Sequence, residues 1–163
     1  MKRIALLSLC LLMAVCLLTG CNDDYPEGIT LEFADLQLTL PGDFIDLSEE
    51  GVDADADFLY GRKTLIVKGA AEDKKRLLEM NLEQYTQQVI GGNQLKTTPE
   101  VFGKGYVFTY QKTANEKEFT YITATFESND NFWLFQFYCP SEDLEENRPE
   151  IDIILSGIQP ENG

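Results

Sequence analysis

Three aspartates at alternate positions, Asp53, Asp55 and Asp57, are the only group in the sequence with the spacing of metal ligands. Carboxylates at the first, third and fifth positions match the opening of a calcium-binding loop. The sixth position, which requires glycine, is Phe58, and the twelfth, which requires glutamate, is Thr64. The segment is therefore not an EF-hand, and two interpretations stay open: a weak calcium site of another kind, or a solvated acidic loop.

Catalytic groups are less evident, because the sequence contains no histidine. A serine triad in its usual form, an activated cysteine and a zinc site all need histidine or paired cysteines. Carboxylates are abundant, but pairs such as Glu32 with Asp35, or Glu118 with Glu127, cannot be distinguished from surface residues. We predict that the chain is not an enzyme and carries no cofactor. A hydrolase that uses clustered carboxylates is the alternative.

Aromatic residues recur at alternate positions in the middle of the chain, which places many of them on one face of predicted strands. Such rings stabilise a sheet beneath a helix, or, where no helix covers them, form a groove for a ligand or partner. Both interpretations stay open for the following group: Tyr106, Phe108, Tyr110, Phe119 and Tyr121.

The start of the sequence has the pattern of a secretory signal. Lys2 and Arg3 precede a largely apolar stretch over residues 4–18. This stretch is shorter than the roughly 20 apolar residues of a membrane-spanning helix. The segment Leu18-Thr19-Gly20-Cys21 follows it and resembles the lipobox of bacterial lipoproteins.

The lipobox resemblance implies cleavage before Cys21, whose diacylated side chain becomes the lipid anchor at the new N-terminus. We therefore predict a signal peptide over residues 1–20 and a lipidated tether over residues 21–28. The resemblance also implies an extracytoplasmic location, with the chain anchored to a bacterial membrane as its first partner.

The mature chain would be strongly acidic. Of the 13 basic residues, Lys2 and Arg3 leave with the signal, so 11 remain against 28 acidic residues, a formal charge of −17. Binding to nucleic acid depends on neutralising phosphates with lysine and arginine, so this charge disfavours it. The remaining 143 residues match one domain of ordinary size.

Cysteine chemistry is also limited. Of four cysteines, Cys10 and Cys16 leave with the signal and Cys21 is lipidated, which leaves Cys139 alone and excludes an intramolecular disulfide. Because Cys139 ends an apolar run, we predict a buried, unreactive thiol.

The apolar periodicity predicts strands, then a helix, then more strands and a second helix. Strands are expected at residues 29–33, 36–40, 58–62, 64–68, 105–111, 118–127 and 131–139, the last three as an antiparallel meander. A helix is expected over residues 72–90, with the stripe Leu78, Leu82, Tyr85 and Val89. Strand 131–139 is apolar on both faces, so it should be central and covered on both sides.

The C-terminal segment predicts a helix that Ser141 caps and Pro149 breaks or restarts. Its apolar stripe is Ile151, Ile154, Leu155 and Ile158. Residues after 159 are expected to form a disordered tail.

The order of these elements resembles the PsbP-like group, which includes the extrinsic photosystem II protein and bacterial lipoproteins related to DcrB. The resemblance is carried by the segment Leu38-Thr39-Leu40-Pro41-Gly42-Asp43-Phe44, the mid-chain helix, the aromatic strand 132–139 and the closing helix ending Ile154-Leu155-Ser156-Gly157-Ile158. It implies an interaction or assembly factor without a shared catalytic residue.

Together these observations predict an α/β (α+β) fold, a mainly antiparallel sheet sandwiched between helices, over residues 29–159. The predicted function is that of a membrane-anchored envelope lipoprotein that binds a ligand or an envelope protein partner. A calcium-dependent adhesion or sensor module and an envelope hydrolase are the alternatives.

Overall fold

The computed structural model of the 163-residue chain describes residues 28–33, 35–48, 56–77 and 80–160, with the backbone alone at residues 159 and 160. Several predicted features lie outside these ranges: the signal peptide, Cys21 and the tether up to residue 27, Asp53, Asp55, Leu78 of the helical stripe, and residues 161–163. The strands are β1 (Ile29–Phe33), β2 (Leu36–Leu40), β3 (Ile45–Asp46), β4 (Phe58–Arg62), β5 (Leu65–Asp73), β6 (Glu100–Phe102), β7 (Gly105–Ala114), β8 (Lys117–Glu127), β9 (Asn131–Pro140) and β10 (Gln159–Pro160). The α-helices among the described residues are α1 (Leu82–Gly92) and α2 (Leu144–Ser156).

The larger sheet has seven strands in the order β3-β4-β5-β9-β8-β7-β6, and every neighbouring pair is antiparallel. The predicted meander forms strands β7 to β9. As predicted, β9 is the central strand, which is the position that a strand apolar on both faces favours. A smaller sheet has the order β1-β2-β10. The predicted fold class, a mainly antiparallel sheet between helices, is confirmed.

One face of the large sheet is covered by α2 and by the small sheet. From β9 this face receives Trp133, Phe135 and Phe137, which are at most 3% exposed. They share one apolar cluster with the following residues of α2 and β2: Ile151, Ile154, Leu155, Leu36, Leu38 and Leu40. Burial of such a side chain stabilises the fold by about 1.5–3 kcal/mol. The main core therefore lies between this face and its two covering layers.

The opposite face is covered by α1 at one end only. Leu82 and Tyr85 of α1 pack on Phe132 of β9, and the rings of Tyr85 and Phe132 are stacked with centroids 4.8 Å apart. Buried hydroxyls of Thr86 and Thr125 join the helix to β8 over 2.7 Å. Farther along β9 the side chains on this face, Leu134, Gln136 and Tyr138, are only half-buried. The helix thus leaves part of this face open, so the predicted cover on both sides of β9 is only partly correct.

The mid-chain helix is shorter than the periodicity predicted. Residues 72 and 73 belong to β5, which pairs with β9 as far as Asp73 opposite Asn131. The helix begins at Leu82, because Asn81 and Gln84 form a capping box in which each side chain accepts the other residue's backbone N–H. The prediction of a helix start at residue 72 was wrong, since pairing with the central strand outweighs local helical spacing.

The C-terminal segment differs from the prediction in three respects. Helix α2 continues through the exposed Pro149, because the turns that follow are anchored in the core. Ser141 makes no capping bond but joins the Thr120 hydroxyl over 2.8 Å. Residue 160, the first of the predicted disordered tail, pairs with β2 together with residue 159, and the two cover part of its free edge. Short strands β3 and β6 were not predicted.

Candidate functional site

The open part of the α1 face carries three stacked tyrosines, Tyr110 of β7, Tyr121 of β8 and Tyr138 of β9, which we call the tyrosine ladder. The strand register sets Tyr110 opposite Tyr121, and Tyr121 opposite Tyr138. The centroids of the first pair are 4.9 Å apart at an interplanar angle of 4°, and those of the second pair are 5.0 Å apart at 18°. All three side chains are half-buried. The ladder is therefore a flat aromatic surface that is accessible from one side.

Neighbouring side chains hold the ladder in place and add a positive charge. The buried ring of Phe108 stacks on Tyr110 with centroids 6.2 Å apart. Gln136 Nε2 donates a hydrogen bond to the Tyr110 hydroxyl over 2.9 Å. Lys112 Nζ lies 5.4 Å from the centroid of Tyr110 and 6.0 Å from that of Tyr121, which is within the range of cation–π attraction. One end of the ladder is therefore cationic.

The surroundings keep the ladder's phenols protonated. Burial raises the pKa of Tyr110 and outweighs the lowering by the nearby Thr123 and Gln136 side chains. Burial also raises the pKa of Tyr121. An ordinary tyrosine already titrates near pH 10. Both phenols are thus neutral hydroxyls at physiological pH, suited to stacking and hydrogen bonding rather than to proton transfer.

The predicted aromatic group is largely brought together on this face. Tyr106, Phe108 and Tyr110 alternate along β7, and Tyr106 packs against the α1 cluster rather than joining the ladder. Phe119 is half-buried on β8, opposite Lys112 and Pro140. The sequence analysis did not include Tyr138 in the group. The alternation of side chains along β9 indicates which face Tyr138 occupies. Which residues stack on it depends on the register between β8 and β9.

Asp35, which the sequence did not distinguish from surface residues, is buried. Its side chain is 4% exposed, and its Oδ2 accepts hydrogen bonds from Ser128 Oγ, the Asp130 N–H and Asn131 Nδ2 over 2.6, 3.2 and 3.0 Å. Trp133 Nε1 donates to Oδ1 over 3.2 Å. Burial alone would raise the pKa of Asp35, but these four bonds together hold it below its ordinary value. An ionised carboxylate with both oxygens engaged fixes the position of the β1–β2 turn.

The other candidate carboxylates do not form a catalytic pair. Glu32 is exposed on β1, unlike the buried Asp35. Glu118 and Glu127 lie nine residues apart on one strand, which corresponds to about 30 Å. Glu127 forms an ion pair with Lys74 over 2.8 Å. Glu118 and Glu127 are therefore too far apart to act together in general acid–base catalysis.

Asp57 is the one member of the predicted calcium group within the described residues. Its Oδ2 accepts the Ala71 N–H over 2.6 Å, and its own N–H donates to the Gly69 carbonyl over 2.9 Å. Within the described ranges, no group of three or more acidic or cysteine side chains is placed to hold a metal ion. Asp57 therefore continues the hydrogen bonding between β4 and β5 beyond the first residue of β4.

Cys139 is buried, as predicted. It is fully buried on β9 and forms no disulfide with any described residue. Burial is the main cause that raises the pKa of its thiol, with a smaller opposing effect from Asn147. Because the thiolate is the reactive species, a buried thiol with a raised pKa is unreactive.

Over residues 28–33, 35–48, 56–77 and 80–160, neither helix has the length and apolar character needed to cross a bilayer.

Comparison with known proteins shows that the fold of this chain is similar to that of several solved structures. No family model matches the chain, and no curated protein matches it significantly. A crystal structure from Bacteroides thetaiotaomicron is similar at a TM-score of 0.58 and 11% identity over 85% of this chain. The chain spans about half the length of that protein, 49%.

Two further structures are similar. LpqN of Mycobacterium tuberculosis, a protein involved in cell envelope biogenesis, has a TM-score of 0.53 and 10% identity over 83% of this chain and 91% of its own. The solution structure of cyanobacterial PsbP (CyanoP) from Synechocystis sp. PCC 6803 has a TM-score of 0.48 and 8% identity over 88% of this chain and 98% of its own. At these identities the Bacteroides and mycobacterial structures share the fold with this chain.

Proposed function

We propose that the chain is a bacterial envelope lipoprotein, anchored outside the cytoplasm by a lipid at Cys21, whose domain binds an envelope protein through the tyrosine ladder. The segment Leu18-Thr19-Gly20-Cys21 supports the anchor. The fold shared with LpqN, a protein involved in cell envelope biogenesis, supports the location. The resemblance to PsbP-like interaction and assembly factors supports binding as the activity.

The observation that carries the proposal is the half-burial of the ladder on strands β7, β8 and β9 of the large sheet. Leaving three aromatic rings partly in water forgoes hydrophobic stabilisation of about 25 cal/mol per Å² of apolar surface. A second helix layer over this part of the sheet would recover that free energy. Tyrosine is enriched at protein interfaces, where its rigid ring packs and its hydroxyl stays solvated. The open ladder is therefore the surface of this domain best suited to a partner.

Binding is favoured over catalysis by the state of the titratable groups. Raised pKa values keep the Tyr110 and Tyr121 phenols neutral, and Asp35 already accepts four hydrogen bonds. None of these groups is poised to exchange a proton near neutral pH.

Site-specific photocrosslinking in cells tests the ladder. A photoreactive benzoylphenylalanine replaces Tyr121 in one full-length chain and Thr30, an exposed residue of β1, in a matched control. We expect a discrete crosslinked product from position 121 that position 30 does not give. No product at position 121, or the same products from both positions, would contradict the proposed binding surface.

Metabolic labelling with an alkyne-tagged fatty acid tests the anchor independently. We expect the wild-type chain and a Cys16→Ser control to incorporate the label, because Cys16 lies in the predicted signal peptide. Cys21→Ser should incorporate none. Label retained in Cys21→Ser would contradict lipidation at that cysteine without affecting the ladder.

A further inference from the structure

The outer edge of β7 is only partly covered by β6. The register pairs β6 with residues 105–107 of β7, from Phe102 opposite Gly105 to Glu100 opposite Val107. In a two-residue hairpin the closing residues form a hydrogen-bonded pair, so the odd-numbered residues of β7 point their N–H and C=O groups away from β8. Beyond β6, Gln111 and Thr113 therefore present backbone donors and acceptors at the edge. Within residues 80–160, no backbone group forms a hydrogen bond with Gln111 or Thr113 on the side of β7 that faces away from β8.

The chain itself uses this edge at one position. Thr97 Oγ1, in the loop after α1, donates a hydrogen bond to the Thr109 carbonyl over 2.8 Å. Between this loop and the edge lies a recess of about 600 Å³, bounded by Leu95, Thr109 and Gln111. The recess is thus continuous with the unpaired part of the strand.

The charge of the recess is opposite to that of the chain. Its lining contains two lysines, Lys96 and Lys112, and no carboxylate. The predicted mature chain has only 11 basic residues against 28 acidic ones. Lys96 forms no ion pair with any described residue. The Glu118 carboxylate on β8 accepts a hydrogen bond from Gln111 Nε2 over 3.2 Å.

We propose that the outer edge of β7 binds an extended, acidic segment of a partner protein as an added strand. The backbone groups of Gln111 and Thr113 would form hydrogen bonds with the backbone of the added strand. Lys96 and Lys112 would form ion pairs with acidic side chains of the segment. A second copy of this chain fits less well, because edge-to-edge pairing of two β7 strands would bring two Lys112 side chains together. This surface adjoins the tyrosine ladder and shares Tyr110 and Lys112 with it. Its strand pairing uses the backbone groups of Gln111 and Thr113, so it does not depend on binding to the stacked rings.

A substitution at Gln111 isolates the backbone donor. Gln111→Pro removes an N–H that points away from β8, a position where an edge strand tolerates proline. Gln111→Ala removes the same side chain but keeps the N–H, so it is the matched control. The full chain, purified in detergent and immobilised, is used to select from a display library of random heptapeptides.

We expect the wild-type chain and Gln111→Ala to enrich peptides with acidic residues at alternate positions, and Gln111→Pro to enrich none. A selected peptide should slow hydrogen exchange at the Gln111 and Thr113 amides of the wild-type chain. Lys112→Glu should weaken its binding about tenfold or more. The exchange measurement keeps the test valid if Gln111→Pro fails to fold.

Three results would overturn the proposal: no enrichment on the wild-type chain, enriched peptides that are not acidic, or unchanged exchange at both amides. A concentration-dependent dimer that Gln111→Pro abolishes would overturn it in favour of self-association through the same edge.

Discussion

Trp133 Nε1 donates a hydrogen bond to Asp35 Oδ1 over 3.2 Å, and this bond joins the small sheet to the central strand of the large one. Asp35 lies in the turn between β1 and β2, and Trp133 lies on β9. Three donors from the β8–β9 turn engage the other oxygen of the same carboxylate. One side chain therefore fixes the hairpin that covers part of the main core.

Replacing Asp35 with asparagine should destabilise the fold. In Asp35→Asn an amide NH₂ must face either Trp133 Nε1 or the three donors of the β8–β9 turn, so buried donors lose their acceptor. We expect a loss of about 2 kcal/mol in the free energy of unfolding, measured by urea denaturation. Glu32→Gln, at an exposed position of β1, is the control and should stay within about 0.5 kcal/mol of the wild type. Equal effects of the two substitutions would contradict the assigned hydrogen bonds.

The same carboxylate predicts a dependence of stability on pH. The pKa of Asp35 in the folded chain lies below its ordinary value of 3.8, so the unfolded chain binds the proton more tightly. The stabilisation is therefore complete above the unfolded pKa and is lost as the pH falls through the lower, folded pKa.

We expect the difference in melting temperature between wild type and Asp35→Asn to be largest near neutral pH and to shrink below about pH 4. Circular dichroism at a series of pH values measures it. Because the exposed carboxylates are common to both chains, their titration cancels in the difference. A difference that grows toward acid would mean that the pKa of Asp35 is raised.

The fold was predictable where the signal is local. Alternation along residues 131–139 placed β9 at the centre, and the spacing of Leu82, Tyr85 and Val89 identified the buried face of α1. The helix start was predicted wrongly because residues 70–73 pair with β9, about 60 residues farther along the chain. Periodicity within one segment does not report such distant pairing.

The turn between β7 and β8 has a conformation that its second residue does not favour. Asn115 and Glu116 have φ angles of 50° and 63°, the left-handed pair that a two-residue hairpin requires. Asparagine tolerates this region, whereas glutamate carries a Cβ that crowds it.

Glu116→Gly should therefore stabilise the chain by about 0.5–1 kcal/mol, because relief of the strain exceeds the extra entropy of glycine in the unfolded chain. Glu116→Gln keeps the Cβ and removes the charge, so it should leave stability nearly unchanged. Urea denaturation of both variants measures the difference. A less stable Glu116→Gly would contradict the left-handed conformation.

The candidate site was only partly predictable. The aromatic residues of β7 and β8 were visible as an alternating group, but stacking of Tyr138 on Tyr121 depends on the register of β8 with β9. Asp35 could not be separated from surface carboxylates, since its side-chain donors Ser128, Asn131 and Trp133 lie 93 to 98 positions away. Sequence identifies the residue types, and only the tertiary pairing decides which of them meet.

The position of α1 beside the ladder depends on two buried hydroxyls. Thr86 Oγ1 of α1 and Thr125 Oγ1 of β8 are 2.7 Å apart, and both residues are fully buried. Thr86 Oγ1 donates its one hydrogen to the Leu82 carbonyl over 2.7 Å, so it accepts the hydrogen bond that Thr125 Oγ1 donates. Valine at either position removes one hydroxyl at similar volume. Thr86→Val leaves the buried Thr125 hydroxyl without its partner, whereas Thr125→Val leaves the Thr86 hydroxyl bonded to the Leu82 carbonyl.

We expect Thr86→Val to destabilise the chain by about 1–2 kcal/mol, and Thr125→Val by about 0.5–1 kcal/mol, because only the first leaves a buried hydroxyl unsatisfied. The double variant should lose less than the sum of the two, by about 1 kcal/mol, because it leaves no unsatisfied hydroxyl behind. Urea denaturation of all four chains completes the cycle, and Thr39→Val on the exposed side of β2 is the control. Strictly additive losses would show that the two hydroxyls do not interact, and that packing of Leu82 and Tyr85 on Phe132 alone holds the helix over this end of the sheet.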